Sequence, residues 1–345
     1  MERLRPPPAP TPCTRVLVPR FSRSHVPSTP PLDLDRLHHD ITTWFTAEGR
    51  DLPWRSPQCS AWGVMVSEFM LQQTPVVRVL PVWEEWMRRW PDPAALAAEP
   101  SGEAVRAWGR LGYPRRALRL CEAARRIVEE HDGQVPSSPA DLLALPGVGS
   151  YTAAAISCFA FGLPETVVDT NIRRVHARLI SGHALPEPSH TAAEARLAAE
   201  LMPATEDDGG TLACAWNAAV MELGALICTA RSPRCGQCPV SGSCAWIARG
   251  KPEPHYTPKG QPWAGTDRQV RGAMMAVLRA SDEPQQPEAL LATGPAESGS
   301  GTDLDLAFQK LQTLPADVEQ RSRCLAGLLV DGLAVESGAG ITLPH

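Results

Sequence analysis

Four cysteines crowd into seventeen residues of this chain, at Cys228, Cys235, Cys238 and Cys244. No other feature restricts the fold so tightly, because four thiols in one short loop need a backbone that turns all of them towards a common centre. The gaps of six, two and five residues suit either zinc or a [4Fe–4S] cluster. Structural zinc usually takes two well-separated Cys-x2-4-Cys hooks, and this loop has one. A compact loop wrapped around a cubane fits the irregular gaps better. A disulfide pair is the plain alternative. The Met-Glu-Arg start carries no apolar secretion segment, so we expect a chain that stays inside the cell, where thiols are kept reduced. Cys13, Cys59, Cys121, Cys158, Cys214 and Cys324 are scattered by comparison.

The remaining sequence divides by composition. Residues 1–31 are rich in proline, serine and arginine, which offers too little apolar surface to offset ordering entropy. They read as a disordered arm. Residues 32–250 read as helical throughout. Trp83, Trp86 and Trp90 recur at i, i+3, i+7, and Leu118, Cys121 and Arg125 keep helical spacing. Pro91, Pro93, Gly112, Pro136, Pro139, Gly162, Pro164 and Pro186 cut the region into helices of ordinary length. Most tryptophans lie here and read as core. Residues 251–264 form a proline-rich linker. The tail, 265–345, shows helical character at Gln269–Leu278 and Arg321–Leu329. A short hairpin follows, from Leu333-Ala334-Val335 to Ile341-Thr342-Leu343. Its pattern suggests a small α/β winged-helix-like module, with 285–303 as a polar loop. No apolar run approaches the roughly 18 residues that would span a bilayer, so no membrane partner is expected. The net charge of −5 gives no general signal for nucleic acid.

Leu145-Pro146-Gly147-Val148-Gly149 lies between two helical stretches, Pro139–Ala144 and Tyr151–Phe161. Gly147 and Gly149 permit a sharp turn, and the next helix opens with free N–H groups at Ser150 and Tyr151, a natural seat for phosphate. A plain glycine-containing helix turn is the alternative. Arg231, Arg234 and Arg249 lie on or beside the cysteine loop, as phosphate contacts or as a solvated basic surface.

With this hairpin, the Val168-Asp169-Thr170-Asn171 segment and the cysteine spacing, residues 32–250 resemble the endonuclease III superfamily of helix-hairpin-helix DNA glycosylases that carry an iron–sulfur cluster. The resemblance spans about two-thirds of the chain. Leu52-Pro53-Trp54-Arg55, Ser67-Glu68-Phe69-Met70-Leu71-Gln72-Gln73-Thr74 and Gly109-Arg110-Leu111-Gly112-Tyr113 are most similar to MutY-type adenine glycosylases. It implies an all-α, two-lobed fold with a [4Fe–4S] loop held by the four clustered cysteines. It implies double-stranded DNA with a mismatched or oxidised base pair as partner, a monomer, and a cytoplasmic, nucleoid-associated place in a bacterium.

Removing a base from deoxyribose needs a proton for the leaving base and a negative group beside the sugar cation. Two carboxyls in different settings can divide that work. Glu68 stands in an apolar run, where burial raises a carboxyl's pKa; its plain reading is a first-turn glutamate facing the helix dipole. Asp169 could simply be an N-cap. The resemblance makes Glu68 the group that protonates adenine N7 and Asp169 the stabiliser of the sugar cation, with Asn171 orienting one of them. Bifunctional relatives have a lysine where this chain has Tyr151, and residues 1–250 contain no lysine. Base removal without efficient strand cleavage is therefore expected. Likeness also assigns Gln72, Gln73 and Tyr113 to wedging the opened duplex, and Arg50, Leu52, Trp54 and Arg55 to the adenine pocket.

Two departures accompany the resemblance. The family usually has Gln or Glu where Ala218 stands, a side chain that helps read the adenine edge, so discrimination shifts to the rest of the pocket. Well-studied members also have a Nudix-like domain with a Phe-Ser-His loop that recognises 8-oxoguanine; residues 265–345 are too short for it and lack the triplet. A mismatch thymine or uracil glycosylase of the same superfamily and a non-catalytic iron–sulfur DNA-binding protein are the alternative readings.

Overall fold

The helices begin and end where the sequence provides caps. Ser60 accepts from the Gly63 N–H and opens Ala61–Leu71. Ser138, followed by Pro139, opens Pro139–Ala144, and Thr191 with Glu194 forms a capping box before Ala192–Glu200. Gly162, left-handed at φ 71°, closes Ser150–Phe161. The structure, a computed structural model, describes residues 32–205, 209–258, 260, 262–294 and 301–345. The arm assigned to 1–31 lies outside them. Among the described residues no helix is long and apolar enough to cross a membrane.

Two hydrophobic cores organise residues Leu34–His345, which form one compact unit. The first gathers side chains from the helices Ala61–Leu71, Val76–Arg89, Ser101–Trp108 and Arg115–Glu130. Trp86 sits at its middle, edge-on to Trp90 with ring centroids 4.8 Å apart and to Trp108 at 5.6 Å. The second gathers Leu34–Glu48, Thr170–His176, Thr211–Leu226 and the cysteine loop. The helix Ser150–Phe161 serves both: Ala153 and Ile156 face the first core, Ala155 and Cys158 the second. The opening helix thus belongs with residues more than a hundred positions later. Its buried His38 donates Nε2 to the Leu201 carbonyl at 2.9 Å.

Ala61–Leu71 lacks a polar face; every residue from Trp62 to Met70 is buried. A helix apolar all round belongs inside a protein, and Gly63 lets it pass close to Trp83. Glu68 therefore rides on a central helix instead of a surface one.

Among its described residues the tail holds four helices, Asp267–Ala280, Pro287–Leu291, Asp303–Gln312 and Val318–Val330, and one antiparallel strand pair, Val335–Ser337 with Gly340–Thr342. Two of these helices fall on Gln269–Leu278 and Arg321–Leu329, as expected. The polar loop expected at 285–303 is interrupted by Pro287–Leu291, because Pro287 supplies a preset first turn and Leu290 finds the core. Val270, Met274, Val277 and Leu278 join the first hydrophobic core. Arg279 Nε donates to the Val105 carbonyl at 2.9 Å, Arg106 donates to the Ser281 carbonyl at 3.0 Å, and the Gly102 N–H to the Pro344 carbonyl at 2.7 Å. A Cβ on Gly102 would lie 2.3 Å from that oxygen.

Because one core runs through body and tail, Leu278→Ala should cost about 2–5 kcal/mol and lower the melting of the whole unit. Tryptophan fluorescence and far-ultraviolet circular dichroism should be lost together; a separate, earlier transition confined to part of the helical signal would contradict a shared core.

Candidate active site

Glu68 is the eighth residue of Ala61–Leu71 and is 5% exposed. A first-turn role against the helix dipole is thereby excluded. Its Oε2 is buried with no hydrogen-bond partner, while the Tyr151 hydroxyl donates to the carboxyl. Burial pushes the Glu68 carboxyl up to about 7; the hydrogen bond from Tyr151 opposes this, the charge of Asp169 adds to it and that of Arg55 subtracts. A carboxyl poised there can hold a proton at neutral pH and release it.

Asp169 comes from the other lobe. It is the N-cap of Thr170–His176, accepting from the Ile172 N–H at 2.6 Å. Its second oxygen accepts from Asn171 Nδ2 at 2.7 Å. The N-cap reading is thus correct, and it leaves the electrostatic coupling to Glu68 in place. Burial raises its pKa, opposed by the Ile172 N–H, the Asn171 amide and the charge of Arg174. Asn171 is itself fixed: its Oδ1 accepts from Arg174 at 2.8 Å, and Arg174 also donates to the Gly224 and Cys228 carbonyls, both at 2.7 Å. A Cβ on Gly224 would stand 2.7 Å from the Asn171 Cβ, so glycine is needed there for the two helices to meet.

The extended segment leading to Asp169 is held by Asn217, whose Oδ1 accepts from the Val167 N–H at 3.3 Å and whose Nδ2 donates to the Glu165 carbonyl at 2.8 Å. Two carboxyls about a hundred residues apart thus lie within electrostatic reach of each other, one rich in compensating donors and the other poor in them. That asymmetry fits a proton donor beside a charge stabiliser.

Arg50 and Arg55 converge on Glu222, which is 0% exposed. Arg50 Nε and one terminal nitrogen reach its two oxygens at 2.6 and 2.7 Å, and Arg55 reaches it at 2.9 Å. These donors outweigh burial and draw its pKa down to about 2. The sequence reading passed over Glu222; the available signal was an acid in the apolar run Val220–Leu223, the same signal that marked Glu68. Leu52 and Trp54 are both buried in the first core, Trp54 edge-on to Trp83 at 5.6 Å.

On another edge, Gln73 and Tyr113 adopt left-handed backbones at φ 57° and 48°. Such conformations are strained for residues with side chains and gather at functional sites. Thr74 Oγ1 donates to the Leu111 carbonyl at 3.1 Å and ties the two loops. Tyr113 is 47% exposed under the Arg116 guanidinium, 4.5 Å away, and Arg116 donates to the Gln72 carbonyl. Gln72 Nε2 reaches Thr152 at 3.3 Å. In the hairpin, Gly147 has φ 81°, and a Cβ there would strike Phe69 and Arg119; Gly149 faces open space.

Cys228, Cys235, Cys238 and Cys244 all pack on the second core and sense one another's charge. No three His, Cys, Asp or Glu side chains among the described residues converge as on a single metal ion. Four soft ligands gathered on one core by a short loop fit an iron–sulfur group.

Residues 66–200 match the family model described as HhH-GPD superfamily base excision DNA repair protein, and 228–244 that of the iron–sulfur binding domain of endonuclease III. The adenine DNA glycosylase of Mycolicibacterium smegmatis is 46% identical over 301 residues, covering 87% of this chain and 93% of that protein. The chain belongs to the adenine DNA glycosylase family. The human adenine DNA glycosylase is 41% identical over 216 residues, covering 59% of this chain and 38% of the human one. A solved thermostable thymine-DNA glycosylase matches with a TM-score of 0.55 at 28% identity, covering 63% of this chain and 97% of that one. An endonuclease III–DNA complex, at TM-score 0.53 and 20% identity over 64% of this chain and all of that one, shares the fold. Like its family, the chain is an iron–sulfur DNA glycosylase of base excision repair, with a [4Fe–4S] cluster as cofactor and DNA as partner.

Glu222→Gln should remove the charge that both arginines share, costing about 1.5–3 kcal/mol. A carboxyl with a lowered folded pKa stabilises above its unfolded pKa, and that contribution fades as pH falls towards about 2. The stability gap between wild type and variant, from urea melts, should therefore narrow below about pH 4; a constant gap down to pH 2 would show the ion pairs to be idle.

Proposed function

We propose that the chain hydrolyses the N-glycosidic bond of adenine mispaired with 8-oxoguanine or guanine, with Glu68 as acid and Asp169 as the group that stabilises the sugar cation. One observation carries this reading: a buried and a half-buried carboxyl from different lobes are electrostatically coupled, and the buried one, with fewer donors, is lifted to about 7.

The duplex must first release the base, since a stacked adenine is out of reach. Gln73 and Tyr113, on their strained and tied loops, fill the gap, with Gln72 beside them. The hairpin amides at Gly147 and Gly149 grip the phosphate backbone, helped by the open space at Gly149. Arg50, Arg55, Leu52 and Trp54 border the receiving pocket, and Glu222 holds the two guanidiniums still. Protonated Glu68 gives its proton to N7 as the bond to the sugar lengthens. Electrons leave with the base, and the ionised Asp169, fixed by Asn171 and the Ile172 N–H, faces the positive sugar. Water then adds to the anomeric carbon, releases a proton that restores the acid, and gives an abasic site. Tyr151 supports the Glu68 carboxyl and offers no amine, so no Schiff base follows.

Cys228, Cys235, Cys238 and Cys244 hold the cluster. When bound, it supplies iron–thiolate cross-links across the loop; base hydrolysis itself moves no electrons. Residues 32–250 form the catalytic domain and 265–345 a C-terminal module joined by the 251–264 linker. The enzyme works as a monomer on the nucleoid in a bacterial cytoplasm. The likeness to a thymine-DNA glycosylase supports a second reading, in which a mispaired pyrimidine is the substrate; a carboxyl lifted to about 7 suits protonation of N7, which only a purine has, and favours the first.

Four measurements test the proposal. Duplexes carrying A:8-oxoG, A:G, T:G and U:G, incubated with the protein and cleaved with alkali, should show rapid release only for the two adenine pairs; faster release of T or U would replace adenine as the substrate. Glu68→Gln should retain duplex binding and lose adenine release by at least a hundredfold, on the order of general acid catalysis. Because the raised pKa keeps Glu68 protonated below about 7, the single-turnover rate should be level at lower pH and fall about tenfold per unit above it. A flat profile to pH 9 would remove Glu68 as the acid, and borohydride trapping of the protein on DNA in high yield would reveal a lyase step.

A further inference from the structure

One side chain contacts the cysteine loop more extensively than any catalytic role requires. Arg178 is 3% exposed and lies on the π-helical turn Ala177–Ser181 that follows Thr170–His176. Such turns break regular helical pairing and often accompany functional sites. Its guanidinium donates to the carbonyls of Cys228 at 3.3 Å, Thr229 at 2.7 Å and Ala230 at 3.1 Å, and to that of Ala184 at 2.9 Å. One terminal nitrogen also lies 3.4 Å from Cys228 Sγ. The plane packs over the Trp246 ring at 4.8 Å. The Arg178 carbonyl lies 3.5 Å from Cys244 Sγ. This one residue thus meets the first and last cysteines of the loop and spans the turn after the first.

We propose that Arg178 is a positioning residue for the iron–sulfur cluster: its planar fork shapes the 228–230 turn to receive iron, and its charge beside Cys228 raises the cluster's reduction potential. The inference rests on Cys228 and Cys244 being ligands. A fork of fixed donors can hold three successive carbonyls where a lysine ammonium cannot. An N–H directed at a ligand sulfur, and a positive charge in a dry site, both favour the more electron-rich cluster. Arg174 is the other buried cation here, yet it reaches Cys228 only through the carbonyl, at 2.7 Å, and spends its remaining donors on Asn171, Gly224 and Thr170.

The experiment uses the full chain purified without oxygen, as wild type, Arg178→Lys and Arg178→Gln. Iron and sulfide per chain, iron release to a chelator, and the reduction potential by voltammetry are measured, with circular dichroism as the check on folding. Arg178→Gln should release iron several-fold faster and shift the potential downwards. Arg178→Lys, which keeps the charge and loses the fork, should release iron faster while its potential stays near wild type. Wild-type release and potential in Arg178→Gln would overturn the proposal. If that variant does not fold, Arg178→Lys decides: wild-type release would overturn the shaping role, and a clearly lowered potential would overturn the charge role. A wild-type chain without bound iron would instead defeat the reading of the cysteines as ligands.

Discussion

Everything at the centre of this protein depends on keeping one carboxyl out of water. Glu68 sits on a helix with no polar side, so its charge finds neither solvent nor a full set of donors. That deprivation lifts its pKa to about 7, so the carboxyl can hold a proton near neutrality. Asp169 is half-buried, and a helix N-terminus and the Asn171 amide support its anion. The same residue type thereby acquires two chemical characters from two environments. The fold maintains the contrast by taking the residues from opposite lobes and joining those lobes through the helix Ser150–Phe161.

Arginine then performs a different kind of work. Five of these side chains brace groups around the site: Arg50 and Arg55 on Glu222, Arg174 on Asn171, Arg116 over Tyr113 and Arg178 on the cysteine loop. A guanidinium stays charged under nearly all conditions and presents several donors in a fixed plane. It can therefore fix carbonyls and carboxylates without adding a titrating amine beside an electrophilic sugar. A site free of lysine and rich in arginine suits hydrolysis without imine chemistry.

Parts of this arrangement were legible from residue patterns. The Trp83, Trp86 and Trp90 spacing marked a buried helix face, the glycines at 147 and 149 marked the hairpin, and the crowded cysteines marked the cluster loop. Glu68 was visible because a charge within an apolar run is costly unless it is used. Glu222 carried the same mark and was missed, since its partners lie 172 and 167 residues away. The strain at Gln73 and Tyr113 was not legible, because neither residue type announces a left-handed backbone. The short helix Pro287–Leu291 was hidden within a polar stretch whose apolar residues are too few to show a period.

The order of residues determined by itself which groups were available: thiols spaced for a cluster, a tyrosine in place of an amine, and two acids in different local settings. Those are properties of neighbours along the chain, and they follow from covalent sequence and short-range propensity. Only the tertiary structure decided that Glu68 and Asp169 share a field, that Glu222 binds two arginines, and that Arg178 grips the cysteine loop. Each of those depends on segments far apart in sequence being pressed together by two hydrophobic cores, and no local pattern encodes which distant partner a buried charge will meet.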